Sequence, residues 1–183
     1  MYRQVQDYTN NFHIQLEMNF LSNRWVLTIL EGNELSFETA KTLVRLSIVY
    51  EQLQNYDQAM AIIKKALEIF GQHGDDVEAS SVLADVEGHL GYLYLWNGKP
   101  SEALPYLERS VARKKDIDGK ECIATLSVWN YLGVAYAHVH RLDEALSAFK
   151  SAKSLIWNGC RDFDLLSIYI HNNICLTCKM IGR

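Results

Sequence analysis

Apolar side chains recur along the chain at spacings of three and four residues, a period that predicts amphipathic helices. These helices occur in pairs, and a short polar stretch separates the members of each pair. The three stretches are Gln54-Asn55-Tyr56-Asp57, Gly98-Lys99-Pro100-Ser101 and His140-Arg141-Leu142-Asp143. Each ends in Asp or Ser followed by Gln or Glu, residues typical of an N-cap and first helical turn. The pattern therefore predicts three helical hairpins.

The three hairpins are copies of one internal repeat. Counted from a small residue in the first helix, an aromatic residue follows three positions on, an alanine twelve, a large apolar residue sixteen and another small residue nineteen. The starting residue is Ser47, Gly91 or Gly133, so the period is 44 and then 42 residues. We expect Gly91 to face Ala103 and Gly133 to face Ala145, because small side chains let antiparallel helices approach closely.

The two ends of the chain depart from this repeat. Extending the period by 42 residues leads to Cys175, and the sequence stops before a second helix can follow. This predicts a terminal half-repeat or capping helix over residues 162–181. Residues 1–33 do not fit the pattern, and we expect one N-terminal capping helix or two short ones. Their apolar residues are Phe12, Leu16 and Phe20, then Val26, Leu27 and Leu30.

These residues resemble the tetratricopeptide repeat, whose pattern of Trp, Leu-Gly, Tyr, Ala, Phe and Ala is matched most fully from Trp129 to Ala152. The period departs from the ordinary repeat of about 34 residues and is similar to that of kinesin light chain repeats. The resemblance implies an all-α fold, a right-handed α-solenoid of helical hairpins. The predicted regions are a cap at 1–33 and a solenoid at 34–183, with repeats at about 36–70, 78–114 and 120–157 and a half-repeat at 162–181.

Composition narrows the class of protein. The chain has 183 residues, of which 49% are hydrophobic and 22% charged, enough apolar surface for one packed domain. A formal net charge of -4 lacks the excess of cations that binding along nucleic acid requires. No run approaches the roughly 18 apolar residues of a membrane helix, and the start lacks the apolar core of a signal peptide. We therefore expect a cytoplasmic protein that binds neither nucleic acid nor membrane.

Four cysteines are present, at positions 122, 160, 175 and 178, and we expect reduced thiols in a chain without an export signal. Cys175 and Cys178 lie on one predicted helix face with His171, a spacing compatible with a zinc or redox site. The repeat explains both cysteines as packing residues, and no second Cys-x-x-Cys completes a site. We therefore expect neither a metal nor a cofactor.

The resemblance also implies a binding surface, because in this family the first helices line a concave groove that holds a peptide or partner helix. The predicted groove residues are Val44, Ile48, Asp85, Tyr92, Trp96, Asn130, Val134, His138 and Asn172. Asn130 and Asn172 share one repeat position, and in similar arrays such amides hold a peptide backbone because an amide both donates and accepts. We expect both amides to be solvent-accessible. The simpler interpretation is that they are ordinary solvated side chains.

The predicted function is a non-catalytic scaffold or adaptor that binds another protein or a peptide. No nucleophile, phosphate-binding loop or paired acid site indicates an enzyme. One alternative is a ligand- or peptide-sensing regulatory domain of a larger signalling or transcription protein. Another is a homo-oligomer that assembles through an uncapped end of the solenoid.

A basic cluster on the last part of the second hairpin is predicted to be a solvated outer face, with contact to an acidic partner as the alternative. It comprises Arg109, Arg113, Lys114, Lys115 and Lys120. His138 and His140 are interpreted as exposed histidines at a hairpin turn.

Overall fold

A computed structural model describes residues 13–14, 16–21, 36–72, 77–118, 123–157 and 164–182. Over these ranges the chain forms helices and turns and no β-strand. The long helices are α1 (Phe37–Gln52), α2 (Tyr56–Gln72), α3 (Val77–Trp96), α4 (Pro100–Asp118), α5 (Ile123–His138), α6 (Leu142–Trp157) and α7 (Asp164–Ile181). The expectations for Phe12, Val26, Leu27, Leu30, Lys120, Cys122 and Cys160 lie outside the described residues.

The three hairpin turns, which join α1 to α2, α3 to α4 and α5 to α6, share one backbone conformation. Each contains a residue with positive φ, namely Gln54 at 57°, Gly98 at 70° and His140 at 62°. The N–H of the following residue donates to the carbonyl five residues earlier, at 2.9 Å in all three turns. This bond satisfies a carbonyl that the end of a helix leaves open. The first helix of each hairpin therefore ends in the same way although the turn residues differ.

The second helices begin earlier than the sequence pattern predicts. Asn55 precedes α2, and its Oδ1 accepts a hydrogen bond from the N–H of Gln58 at 3.3 Å. Asp57, Ser101 and Asp143, predicted near the N-cap, lie one residue inside the first turn of their helices. The two aspartates still stabilise these helices, because the positive end of the helix dipole favours a negative charge.

The glycines of the first helices accommodate large side chains. A Cβ atom at Gly133 would lie 2.5 Å from Cε1 of Phe149, and one at Gly91 would lie 2.5 Å from Cγ of Leu107. Both large side chains are buried. The predicted approach of Gly91 to Ala103 is also present, since the same Cβ at Gly91 would lie 3.4 Å from the carbonyl oxygen of Ala103. The sequence did not predict the closer contacts with Leu107 and Phe149. Each of these two glycines faces the large residue sixteen positions further along the chain. The space left by the missing side chain on one helix is filled by the bulky side chain from the other.

The helices form two compact units, residues 1–75 and 76–183. In the first unit, Leu21 from the helical segment 16–21 packs with Leu46 and Val49 of α1. Leu16 and Phe20, expected to form the apolar face of this segment, are 49% and 62% exposed. The buried face is instead the one that carries Leu21, together with the half-buried Ile14 and Met18.

In the second unit, α7 packs on the hairpin formed by α5 and α6 and keeps the repeat register. Its residues Ile170 and Thr177 are buried, as are Val128 and Ala135 of α5, which precede them by 42 residues. Cys175 occupies the place that Gly133 has in α5 but is exposed. The difference follows from α6, whose Phe149 covers Gly133.

Candidate partner-binding cleft

A cleft of about 530 Å³ lies between the first helices α3, α5 and α7 of the second unit. Among the residues that the structure describes, its wall contains no Asp, Glu, Lys or Arg side chain. The lining residues are Tyr92, Leu95 and Trp96 of α3, Asn130, Tyr131, Val134 and His138 of α5, and Leu166, Tyr169 and Asn173 of α7. The cleft is therefore mainly apolar and aromatic, and its described polar groups include two amides, one imidazole and the hydroxyl groups of three tyrosines.

One aromatic pair connects α3 to α5, and a second pair lies next to it on α3. The ring centroids of Tyr92 and Tyr131 are 5.0 Å apart, and those of Tyr92 and Trp96 are 6.0 Å apart at an interplanar angle of 62°. Trp96 and, on α7, Tyr169 are each 62% exposed. Exposed aromatic side chains in a concave wall can bury a large area on binding, and such residues often dominate protein interfaces.

An amide pair connects α5 to α7 within the cleft. Nδ2 of Asn173 donates to Oδ1 of Asn130 at 3.0 Å, and Asn130 is only 8% exposed. The expectation that Asn130 is solvent-accessible is therefore wrong, because the next first helix covers it. Asn172 is exposed, as expected, but does not line the cleft.

Sequence reasoning missed Asn173, which stands one position after the predicted Asn172. The repeat contains the missing signal, because Asn173 follows Tyr131 by 42 residues and both line the cleft. A residue at this repeat position, Tyr131 or Asn173, faces the first helix of the preceding repeat. Asn130, at the preceding repeat position, is instead covered by α7.

The structure brings some of the other predicted groove residues together and leaves others apart. Those that line the cleft are Tyr92, Trp96, Asn130, Val134 and His138. Asp85 lies outside it and forms an ion pair with Lys114 of α4. Val44 and Ile48 belong to the first unit, where Val44 is half-buried and Ile48 is 40% exposed. A binding role for these two residues stays a prediction.

The basic cluster of α4 is held by acidic residues of α3. Arg109 and Arg113 donate through Nε to the two carboxylate oxygens of Glu87 at 2.8 and 3.1 Å, and Glu87 is 4% exposed. Lys114 is itself buried. The interpretation of this cluster as a solvated face is therefore wrong for Lys114, whereas Arg109 and Lys115 are exposed and the side chain of Arg113 is 37% exposed. The ion pairs to Glu87 and Asp85 connect α4 to α3.

Neither the cysteine pair nor the two histidines singled out from the sequence belong to a metal site in the described part of the chain. Among the described residues, no group of three His, Cys, Asp or Glu side chains could hold a metal ion. Cys175 and Cys178 are free thiols, and His138 and His140 are exposed around the turn after α5. Within the same ranges, none of the helices has the length and apolar character to cross a bilayer.

The chain matches a known repeat family and is similar in sequence to known proteins. The tetratricopeptide repeat matches residues 40–73 and 82–155, together more than half of the chain. KINESIN LIGHT CHAIN-RELATED 3 of Arabidopsis thaliana is 24% identical over 160 residues, which are 86% of this chain and 24% of that protein. KINESIN LIGHT CHAIN-RELATED 2 from the same plant is 20% identical over 80% of this chain and 22% of its own length. The chain thus spans about a quarter of the length of these relatives.

Solved structures show the same fold. A kinesin light chain structure from Podosopora anserina with nearly identical TPR-like repeats has a TM-score of 0.78 at 15% identity, covering 98% of this chain and 84% of that one. BtubC from P. vanneervenii has a TM-score of 0.70 at 17% identity, covering 98% and 78%. These likenesses confirm the predicted fold class, an all-α solenoid of helical hairpins.

The family assignment carries a broad functional meaning, since repeats of this kind bind other proteins and are generally non-catalytic. The family match over more than half of the chain agrees with the glycine positions, the hairpin turns and the register of α7. The chain therefore belongs to the tetratricopeptide repeat family, with repeats like those of kinesin light chains.

Proposed function

We propose that this chain is a cytoplasmic adaptor that holds a segment of a partner protein in the cleft between α3, α5 and α7. The observation that carries the proposal is the composition of the cleft wall. It combines the exposed rings of Trp96 and Tyr169 with the Asn130–Asn173 amide pair, and no Asp, Glu, Lys or Arg is among the described residues that line it.

The size of the cleft favours a short peptide segment. A volume of about 530 Å³ accommodates a few side chains and excludes a folded domain. Leu95, Val134 and Leu166 supply apolar contacts to such a segment. The partner would bury the exposed apolar area of Trp96 and Tyr169, and this burial supplies the main favourable free energy of binding.

The amide pair suits the backbone of the bound segment. An amide side chain has two N–H donors and a carbonyl acceptor, so the single bond between Asn130 and Asn173 uses only part of their capacity. A peptide group requires both a donor and an acceptor. The pair can therefore contact a partner backbone without requiring one particular side chain.

Selection from a displayed random-peptide library on the purified chain tests the proposal. Peptides bound in the cleft should lose at least about tenfold in affinity on Trp96→Ala or Tyr169→Ala, as expected for aromatic residues central to an interface. Ile168→Ala is the matched control, because Ile168 is 55% exposed beside Tyr169 but does not line the cleft. Peptides that bind all three variants equally would contradict the assignment of the cleft.

A further inference from the structure

A second concavity, of about 450 Å³, lies between α4, α5 and α6. This concavity is called the outer pocket below. The residues that line it are Glu108, Val111, Ala112, Lys115, Trp129, Leu132, Tyr136, Glu144, Ser147 and Ala148. Residues 129, 132 and 136 lie on the side of α5 opposite to residues 130, 134 and 138, because successive helical residues are rotated by about 100°. The outer pocket and the cleft therefore lie on opposite faces of one helix.

One end of the outer pocket is acidic. The hydroxyl of Tyr136 donates to Oε1 of Glu108 at 2.7 Å, and Glu144 lines the same pocket while it pairs with Nε of Arg141 at 3.0 Å. The guanidinium of Arg141 also lies 4.5 Å from the ring centroid of Tyr136. Arg141 thus pairs with Glu144, and among the described residues Glu108 forms no ion pair.

The other end of the outer pocket is basic. Nζ of Lys115 lies 4.8 Å from the ring centroid of Trp129, a cation–π contact. Within the described ranges, Lys115 has no carboxylate partner. Glu108 and Lys115 are seven residues apart on α4, so they lie on the same helix face about 10 Å apart along its axis.

The floor between these two ends is apolar and closely packed. Val111, Leu132 and Ala148 are buried beneath the pocket, while Ala112 and Ser147 are exposed at its sides. Small side chains at these two positions leave room for the stem of a long side chain. A lysine or arginine suits such a site, because its methylene stem can pack on apolar surface while its charge meets a carboxylate.

We infer that the outer pocket is a second protein-binding site, which takes a segment carrying a lysine or arginine and an acidic residue with their charges about 10 Å apart. The cationic side chain meets Glu108 beside Tyr136, and the acidic side chain meets Lys115. Charge complementarity of this kind sets the orientation of a partner and rejects segments of the wrong charge. Because the cleft lies on the other face of α5, the chain would hold two partner segments at once.

Charge reversal tests this inference independently of the cleft. A displayed random-peptide library is selected on the Trp96→Ala/Tyr169→Ala chain, which retains the outer pocket. We expect peptides with a basic and an acidic residue two or four positions apart, since an extended chain rises about 3.3 Å per residue and alternate side chains share one face. Their affinity should fall about tenfold on the Glu108→Lys/Lys115→Glu exchange, and peptides with the two charges exchanged should regain it.

A matched control and a neutral variant make the result specific. Lys99→Glu/Glu102→Lys exchanges two exposed charges outside the pocket and should leave these affinities unchanged. Glu108→Gln/Lys115→Gln should weaken the peptides without a preference for reversed ones. The inference is overturned if no selected peptide carries the charge pair, or if the exchange at positions 108 and 115 leaves every affinity unchanged. Neither result affects the cleft proposal, which depends on Trp96 and Tyr169.

Discussion

Single glycines set the separation of the helices in each hairpin of the second unit. At Gly133, the missing side chain is replaced by the ring of Phe149 from the opposite helix, and at Gly91 by the side chain of Leu107. The loss of stability caused by a larger residue at these positions therefore reports how closely the two helices pack.

We predict that Gly133→Ala lowers the free energy of unfolding by about 1–3 kcal/mol, the usual cost of overpacking. The new Cβ would lie 2.5 Å from Cε1 of Phe149, so the ring or the helix must move. Gly71→Ala is the control, because a Cβ there has no neighbouring atom within 4 Å. It should be neutral or raise stability by up to about 1 kcal/mol. Equal losses in urea denaturation would contradict the proposed packing.

The phenol of Tyr136 makes stability depend on pH in the alkaline range. Burial and the hydrogen bond to Glu108 raise its pKa from 10.0 to about 12. The folded state thus holds this proton more tightly than the unfolded state. The protonated phenol therefore makes its full contribution to the free energy of unfolding below pH 10, and this contribution is lost between pH 10 and 12. As the pH rises from 10 to 12, the melting temperature of the native chain should therefore fall more than that of Tyr136→Phe, which has no phenol to titrate. A difference that stays constant with pH would contradict it.

At the scale of elements, the hairpin turns use one backbone geometry with three different residues. Only the turn after α3 has glycine at the position of positive φ, whereas the others place Gln54 and His140 there. A side chain in this conformation costs roughly 1 kcal/mol, because its Cβ approaches the following carbonyl.

Opposite substitutions at two of these turns should therefore have opposite effects. His140→Gly should raise the free energy of unfolding by up to about 1 kcal/mol, and Gly98→Ala should lower it by about the same amount. Space is not a factor at Gly98, where a Cβ would meet no atom within 4 Å. Urea denaturation of both variants checks the prediction, and effects of the same sign would exclude backbone strain as the cause.

The hairpin of α3 and α4 depends on the pairing of buried Glu87. Replacing both Arg109 and Arg113 with Gln should cost about 1–3 kcal/mol, less than for a fully buried pair because the arginine side chains are 52% and 37% exposed. A further Glu87→Gln change should recover part of the loss, since a neutral amide is less costly to bury. Lys150→Gln/Lys153→Gln on α6 provides a control with the same loss of charge. Equal melting temperatures for the two double variants would rule out a structural role for the ion pairs.

At the scale of the whole molecule, the internal repeat made the fold predictable. Three copies of one spacing indicated the hairpins, and the 42-residue period also located the register of α7. The period does not give side-chain directions, so it could not show that Gly133 faces Phe149. The burial of Asn130 depends on a residue 43 positions away. The partners of Glu87 are likewise 22 and 26 residues distant, and no local pattern identifies such pairs.

The second unit contains both the cleft and the outer pocket, together with a core of its own. We predict that a fragment of residues 76–183 folds alone, because units in repeat proteins draw their stability from their own packing and that of nearest neighbours. It should unfold cooperatively in circular dichroism melts and bind cleft peptides with the affinity of the full chain. A fragment without a cooperative transition would show that the first unit is required for folding.

The hydrogen bond between Asn130 and Asn173 has a consequence for the alignment of the helices. Apolar contacts between α5 and α7 oppose a slide along the helix axes only through the fit of their shapes, because the hydrophobic effect itself is non-directional. A slide by one turn would separate the two side-chain amides and leave the buried Oδ1 of Asn130 without the Nδ2 donor of Asn173. The polar pair therefore acts as a positional lock, and it trades some stability for a single way of stacking successive repeats.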